Sequence, residues 1–477
     1  MSQLLVKSSL LSTWLGPHKD VQRLQLATLL RSVGQGLALV DISLFLKELG
    51  WSGGAIGTVL ALAGLLRTGL TLFTAELGRL LGAKRCLLLF EGLVLLGAVL
   101  AVFFSQQLVL DAAFMLSGLG GGHAGTGGPM APIERRWLAA YDRKKTGHVY
   151  HTNALLSCAG LGAGCLLACL HLVWSGLLPG ASGYRPIFLL LVALSAGSIV
   201  LLLRLQGGER KAPAPAAPQA EPAVGKKAND FALFAGLVLG ALVIGGLFAL
   251  FRRLGWHEVS LYAPIVLFLV LLLIPNLRLL VRRSGASGDA RTAEELKQLV
   301  TQLSGIAGGL TSTMTSYWFA VRFNASPGWI GVVMGLSYLA AGGWSYLAPK
   351  HAEKIGTVRV VVILHLLAIA CLLALPWTTS FWVAALLEIG CTACNLGTRG
   401  NRTAMLMEEA PRGKRSLIVK MNYVILRLGA VLWPGAFGKF IDAGRMVAPF
   451  YIVGALQLLA TFLFASVYGK GRKPTPM

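Results

Sequence analysis

The sequence predicts an all-α polytopic membrane protein: two pseudo-symmetric six-helix bundles with two inserted helices between them, about fourteen spans in all. Three observations lead there. The chain is 55% hydrophobic and 13% charged, its mean hydropathy is +0.68, and many apolar runs reach the ~20 residues that cross a hydrocarbon layer as helix. One stretch occurs twice. Ser52 to Glu91 aligns without a gap on Ser326 to His365, at an offset of 274, so that Ile56-Gly57 falls on Ile330-Gly331, Gly82 on Gly356 and Arg85 on Arg359. Each copy is an apolar run, a short basic turn around a glycine, and a second apolar run, which reads as a membrane helical hairpin. Finally, the basic residues gather in alternate loops.

That placement explains the net charge of +23. GAKR (82–85), ERR (134–136), DRKK (142–145), the 204–227 segment, PKHAEK (349–354) and RGKR (412–415) fall on one predicted side. The opposite turns, ELGWSGG (48–54), SQQ (105–107) and PWTTS (376–380), are nearly uncharged. This is the positive-inside pattern of membrane orientation rather than a nucleic-acid footprint, and it puts both termini in the cytoplasm; the expected location is a bacterial inner (plasma) membrane.

Taken in order, the first six spans cover residues 24–46, 54–76, 84–104, 108–132, 148–174 and 186–205. The fourth is rich in glycine (SGLGGGHAGTGG, 117–128), which lets helix backbones approach closely. Residues 204–230 are dominated by Pro, Ala and charge and read as a cytoplasmic linker. Two apolar runs at 231–251 and 261–280 match nothing in the first half. The second six spans cover 299–321, 329–348, 358–375, 381–407, 416–437 and 448–467. The repeat persists in the fifth span of each half, where Asn153 matches Asn422 and Gly160 matches Gly429. The expected domains are therefore 1–205, 206–298 and 299–477.

With these motifs in hand, the chain resembles the major facilitator superfamily of secondary transporters. The family's loop signature, a glycine with an acidic-basic pair and a basic cluster, is kept in the second copy as Glu353-Lys354-Ile355-Gly356 and Arg359. The first copy keeps Gly82-Ala83-Lys84-Arg85 but has Arg79-Leu80 where the pair is expected. The resemblance implies gating roles for Arg79, Gly82, Arg85, Glu353, Lys354, Gly356 and Arg359. The extra central helices look like those of the peptide-transporting and fourteen-helix drug-exporting branches, whose other motifs are absent here.

Charged side chains within the spans are costly and face protein or water. Arg31 lies two turns into the first span with Gln35 one turn further on the same face, Arg67 is mid-span in the second, and Arg427 is mid-span in the eleventh. Glu388 is mid-span in the tenth, Asp41 is in the outer third of the first, and Glu91 and His365 share one repeat position. Such residues either form buried ion pairs, Glu388 with Arg427 for example, or serve a site. Arginines at depth suit an anion, because the guanidinium fork matches carboxylate or phosphate. The resemblance implies that the first, fourth, seventh and tenth spans line a central cavity. The expected substrate-binding set is then Arg31, Gln35, Arg67, His123, Tyr317, Trp318 and Arg427, with Glu388 and Asp41 as the proton-coupling acids. His123 and the aromatic pair also read as ordinary packing.

The seven cysteines sit in or beside apolar runs and read as small packing residues. The chain has no GxxxxGK[ST] loop and no HExxH or strand-borne GxSxG motif, which argues against ATP-driven pumping and hydrolysis. No cofactor, metal or nucleic acid is expected. The expected partners are a small-molecule substrate, a coupling proton and the lipid bilayer, and the expected state is a monomer. The leading expectation is proton-coupled secondary transport of a small organic anion or anionic amphiphile. The alternatives are a multidrug/proton antiporter and a non-transporting receptor or assembly factor.

Overall fold

The computed structural model describes residues 18–119, 146–174, 176–206, 314–398 and 417–468, with isolated positions at 130–138, 243–267, 300, 303 and 402. At 146–151 and 417–428 nearly all of that description is of the backbone alone. The described helices before the central segment are α1 (Lys19–Glu48), α2 (Gly53–Leu81), α3 (Ala83–Phe103), α4 (Gln107–Ser117), α5 (Thr146–Leu167) and α6 (Arg185–Leu203). Those after it are α7 (Thr315–Phe323), α8 (Pro327–Ile355), α9 (Thr357–Ala374), α10 (Phe381–Gly397), α11 (Leu417–Asp442) and α12 (Ala448–Tyr468).

The repeat is kept to the residue. Both α2 and α8 are 29 residues long, and their bounds differ by the same offset that aligns the sequences. The glycine between each pair of helices explains why. Gly82 has φ 81° and Gly356 has φ 92°, and each is the N-cap of the helix that follows. A side chain at either position would be strained, so glycine fixes where the first helix stops and the second begins. At 29 residues, α2 and α8 are ~44 Å long, more than the ~30 Å hydrocarbon needs. The predicted runs, 54–76 and 329–348, stopped short of the C-terminal ends of both helices.

Eight described helices are long and apolar enough to cross a membrane, and the chain is an integral membrane protein. Leu89, Leu189, Ile363, Leu386 and Phe462 are large, apolar and exposed, as expected of side chains whose solvent is hydrocarbon. One predicted span is corrected. The fourth was expected to run from 108 to 132, but α4 ends at Ser117, where Gly118 turns left-handed at φ 63°. The glycines at 120–122 and His123 lie outside the described residues.

The chain forms two compact units. The first comprises Met1–Trp51, Leu62–Pro218 and Phe319–Leu339. The second comprises Ser52–Ala61, Gln219–Trp318 and Ala340–Met477. In the first unit, α1 and α5 meet backbone to backbone. A Cβ on Gly36 would stand 2.2 Å from the Leu161 carbonyl oxygen, and one on Gly164 would stand 2.0 Å from that of Val33. Only glycine permits this approach, and small residues at such seams are how helices associate without a hydrophobic driving force. Phe45, Phe114 and Phe188 pack edge to face or tilted at one end, and Val21, Leu24, Phe90, Trp137 and Leu202 form the core at the other. The end of α6 is held by cations: Lys84 Nζ donates to the carbonyls of Leu203 (2.7 Å) and Leu205 (3.0 Å), and Arg23 to that of Arg204. These groups sit at the negative end of the helix dipole.

In the second unit, Val361, Leu463, Phe464 and Tyr468 join α9 to α12 with Val300 and Leu303. Trp318, Phe437 and Phe450 stack edge to face.

Candidate functional site

In the first unit Arg31 is a buried cation, and two acids hold it. Its Nε donates to Glu91 Oε2 at 2.9 Å and its Nη1 to Glu134 Oε1 at 2.7 Å. All three side chains are at most 4% exposed. α1 supplies the arginine and α3 one glutamate. Glu134 was missed as a partner in the sequence, where ERR reads as a basic loop. The signal was the imbalance itself, since a buried guanidinium needs an acid and ERR offers one a short way beyond the glycine-rich run. The pairing means that two of the three guanidinium nitrogens are committed within the protein. Arg31 Nη2 and Glu91 Oε1 are buried with no hydrogen-bond partner among the described residues.

Asp41 is different. It lies ten residues further along α1, about 15 Å by helical rise. It is fully buried, and neither carboxylate oxygen has a hydrogen-bond partner among the described residues. Its nearby titratable side chains are those of Cys165, Cys169 and Tyr184. A buried carboxylate with no donor is costly when ionised. Gln35 Oε1 is also buried, with no hydrogen-bond partner among the described residues. Arg67 is half-buried in α2, 3.7 Å from the place a Cβ on Gly118 would occupy.

In the second unit Glu388 is buried in α10 and accepts a hydrogen bond from Thr392 Oγ1, one turn on, at 2.8 Å. Its expected partner Arg427 lies on α11, but that side chain is outside the described residues. His365, at the repeat position of Glu91, sits between two hydroxyls: Thr398 Oγ1 is 3.3 Å from Nε2 and Thr461 Oγ1 is 3.4 Å from Nδ1. Arg402 donates to the Asn395 carbonyl at 3.2 Å. The repeat thus places an ion-pair cluster in one unit and a hydroxyl–imidazole cluster in the other. Tyr317 and Trp318 are buried, and Trp318 packs on Phe450 at 5.0 Å. Of the loop residues, Arg79, Arg85, Glu353, Lys354 and Arg359 are exposed around the two glycine turns. Among the described residues no group of three or more His, Cys, Asp or Glu side chains is placed to hold a metal ion.

A second residue that sequence reasoning passed over is Asp442, the last residue of α11. Its Oδ1 accepts from the Gly53 amide at 2.8 Å and its Oδ2 from the Gly54 amide at 2.7 Å. All three residues belong to the second unit.

No family model matches the chain, and no curated protein matches it. Solved structures do match in fold. A POT family transporter in complex with a thioalcohol conjugated peptide matches with a TM-score of 0.62 and 14% identity, over 95% of this chain and 97% of that one. Peptide transporter POT in complex with sulfate also gives 0.62 and 14%, over 97% and 98%. The nucleoside transporter NupG gives 0.57 and 12%, over 94% and 100%. At these identities the likeness is one of fold. The chain is an all-helical integral membrane protein that shares its architecture, nearly end to end, with the POT family transporters and NupG.

Proposed function

We propose that the chain is a secondary active transporter that moves a small organic anion, or an amphiphile with an anionic head, by alternating access coupled to protons. The observation that carries this reading is the match in fold, over 94% or more of the chain, to solved peptide and nucleoside transporters. Two of those transporters were solved with sulfate and with 5-aminolevulinic acid, ligands that bear an anionic group. That chemistry agrees with arginines set at depth in this chain.

The roles divide by residue. Arg31 is held and outnumbered by Glu91 and Glu134, so it orients α1 and offers one remaining nitrogen. In the first unit Arg67, Gln35 and His123 bind substrate. In the second, Arg427, Tyr317 and Trp318 do so. Asp41 and Glu388, both buried within spans, take up and release the coupling proton. The glycine turns at Gly82 and Gly356, with their flanking Arg79, Arg85, Glu353, Lys354 and Arg359, act as gates.

Proteoliposomes test this. An inward proton gradient is expected to drive accumulation of a labelled dipeptide or of 5-aminolevulinic acid, and a protonophore to abolish it. A Glu388→Gln protein that still accumulates the probe with unchanged pH dependence removes the proton role of Glu388. Expulsion of lipophilic cations with no movement of anions replaces the reading with a drug/proton antiporter.

A further inference from the structure

We infer that His171 and Tyr184 form the route by which Asp41 exchanges its proton with the outer water; the inference deepens, and rests on, the proton-coupled reading above. A buried acid that carries a coupling proton needs a way to the aqueous phase. Asp41 is fully buried, and neither of its carboxylate oxygens is hydrogen-bonded among the described residues. The way out leads along α1. Glu48 lies two turns further on, about 10 Å away on the same face, and is exposed at the end of the helix. The nearly uncharged turn 48–54 begins there, and the loop charges assign that turn to the outside.

Two titratable side chains lie beside this stretch of α1. His171 opens the short helix His171–Trp174 that comes after α5, and Tyr184 closes the turn Gly180–Tyr184 before α6. Their ring centroids are 4.6 Å apart. Tyr184 is buried and packs on Phe45, one turn from Asp41, at 5.9 Å. Both Asp41 and Glu48 are within its electrostatic reach. His171 is half-buried and has Glu48 within reach. Its Nε2 is buried, has no hydrogen-bond partner among the described residues, and would stand 2.9 Å from a Cβ on Gly183. Trp174 Nε1 donates to the Gly183 carbonyl at 2.6 Å and fixes the turn. The thiols near Asp41 are committed elsewhere: Cys165 donates to the Gly36 carbonyl at 3.3 Å, and Cys169 to that of Gly328 at 3.2 Å. Among the described groups near Asp41, the Tyr184 hydroxyl is the donor that remains. All of these residues belong to the first unit.

An imidazole binds and releases protons near neutral pH. The partly exposed His171 ring takes a proton from outside, and Glu48 beside it attracts the resulting cation. The imidazolium then passes a proton to the Tyr184 oxygen as the Tyr184 hydroxyl gives its own to the Asp41 carboxylate. One proton has moved inward; imidazole and phenol are neutral again, and Asp41 is a neutral acid. In the described state no hydrogen bond joins Tyr184 to Asp41, so the inner step is open. A route that stayed closed throughout would leak protons, so this step closes only while Asp41 loads.

Infrared spectroscopy of the full chain in lipid vesicles reads the route without any substrate. After transfer to heavy water, the protonated-carboxyl band of Asp41, assigned by its loss in Asp41→Asn, shifts as its proton exchanges. His171→Gln and Tyr184→Phe are each expected to slow that shift at least fivefold. Imidazole added to the buffer is expected to return the His171→Gln rate to within twofold of the parent, which a merely structural role of His171 does not predict. A rate within twofold of the parent in either variant, or no response to imidazole, overturns the route. Absence of the band in the parent overturns Asp41 as proton carrier and the route with it. In proteoliposomes, Tyr184→Phe keeps the ring packing and is expected to cut proton-driven accumulation of the dipeptide at least tenfold; full accumulation overturns the route. If the parent moves no probe while the exchange rates respond as expected, the transporter reading fails and the route stands.

Discussion

Arg31 is paired in the folded chain. An unpaired arginine at depth carries a heavy desolvation cost, and Glu91 and Glu134 at 2.9 and 2.7 Å offset it. Removing Glu91 leaves Arg31 balanced by Glu134 but takes away one charge-assisted hydrogen bond and leaves Nε without its partner. Glu91→Gln is therefore expected to cost about 1.5–3 kcal/mol, seen as a lowered thermal unfolding midpoint in detergent; an unchanged midpoint rejects the ion-pair account. Asp41 should behave in the opposite sense. It has no hydrogen-bond donor to lose among the described residues, so Asp41→Asn is expected to leave the unfolding midpoint unchanged or raise it. In the same protein, gradient-driven accumulation should vanish while exchange of substrate across the membrane persists. Loss of both activities together with stability would make Asp41 a structural residue.

At the scale of elements, glycine decides where helices touch and where they end. Gly164 faces the α1 backbone with 2.0 Å between an added Cβ and the Val33 carbonyl, whereas Gly92 has nothing within 4 Å. Gly164→Ala is expected to destabilise by about 1–3 kcal/mol through overpacking. Gly92→Ala in α3 should be neutral or stabilising by up to about 1 kcal/mol, because alanine is the better helix former. Equal effects in a paired unfolding experiment would show that α1 and α5 are not in close contact. The turn glycines belong to the same argument. Their place at the turn was legible because the repeat aligned Gly82 with Gly356, and a glycine kept between two apolar runs marks a turn; their positive φ came from the structure. The end of α4 was not legible: Gly118 lies among many glycines, and composition alone does not say which one leaves the helix.

For the whole molecule, the charge asymmetry between loops predicts topology. Cysteines placed at Arg85 and Arg359 should react with a membrane-impermeant maleimide only from the cytoplasmic side, and cysteines at Gln106 and Thr379 only from the other side. Labelling of the two pairs from one side would refute the orientation. This much follows from sequence because a bilayer is a uniform solvent: it demands long apolar runs, punishes charge and sorts lysine and arginine to one face, and each demand is written locally along the chain. The duplication was local too: the bounds of α2 and α8 differ by the offset of the repeat, although the predicted spans, 54–76 and 329–348, ended short of both helices. The ligand of Arg31 and the task of Asp442 were not written locally. Glu134 stands 103 positions from Arg31, and Asp442 stands 389 from Gly53; neither segment holds a pattern that names the other. Hydropathy therefore set which residues enter the membrane, while the folded chain alone chose which buried charge meets which partner, because that choice depends on helices brought side by side and on distances of about 3 Å that no one-dimensional pattern encodes.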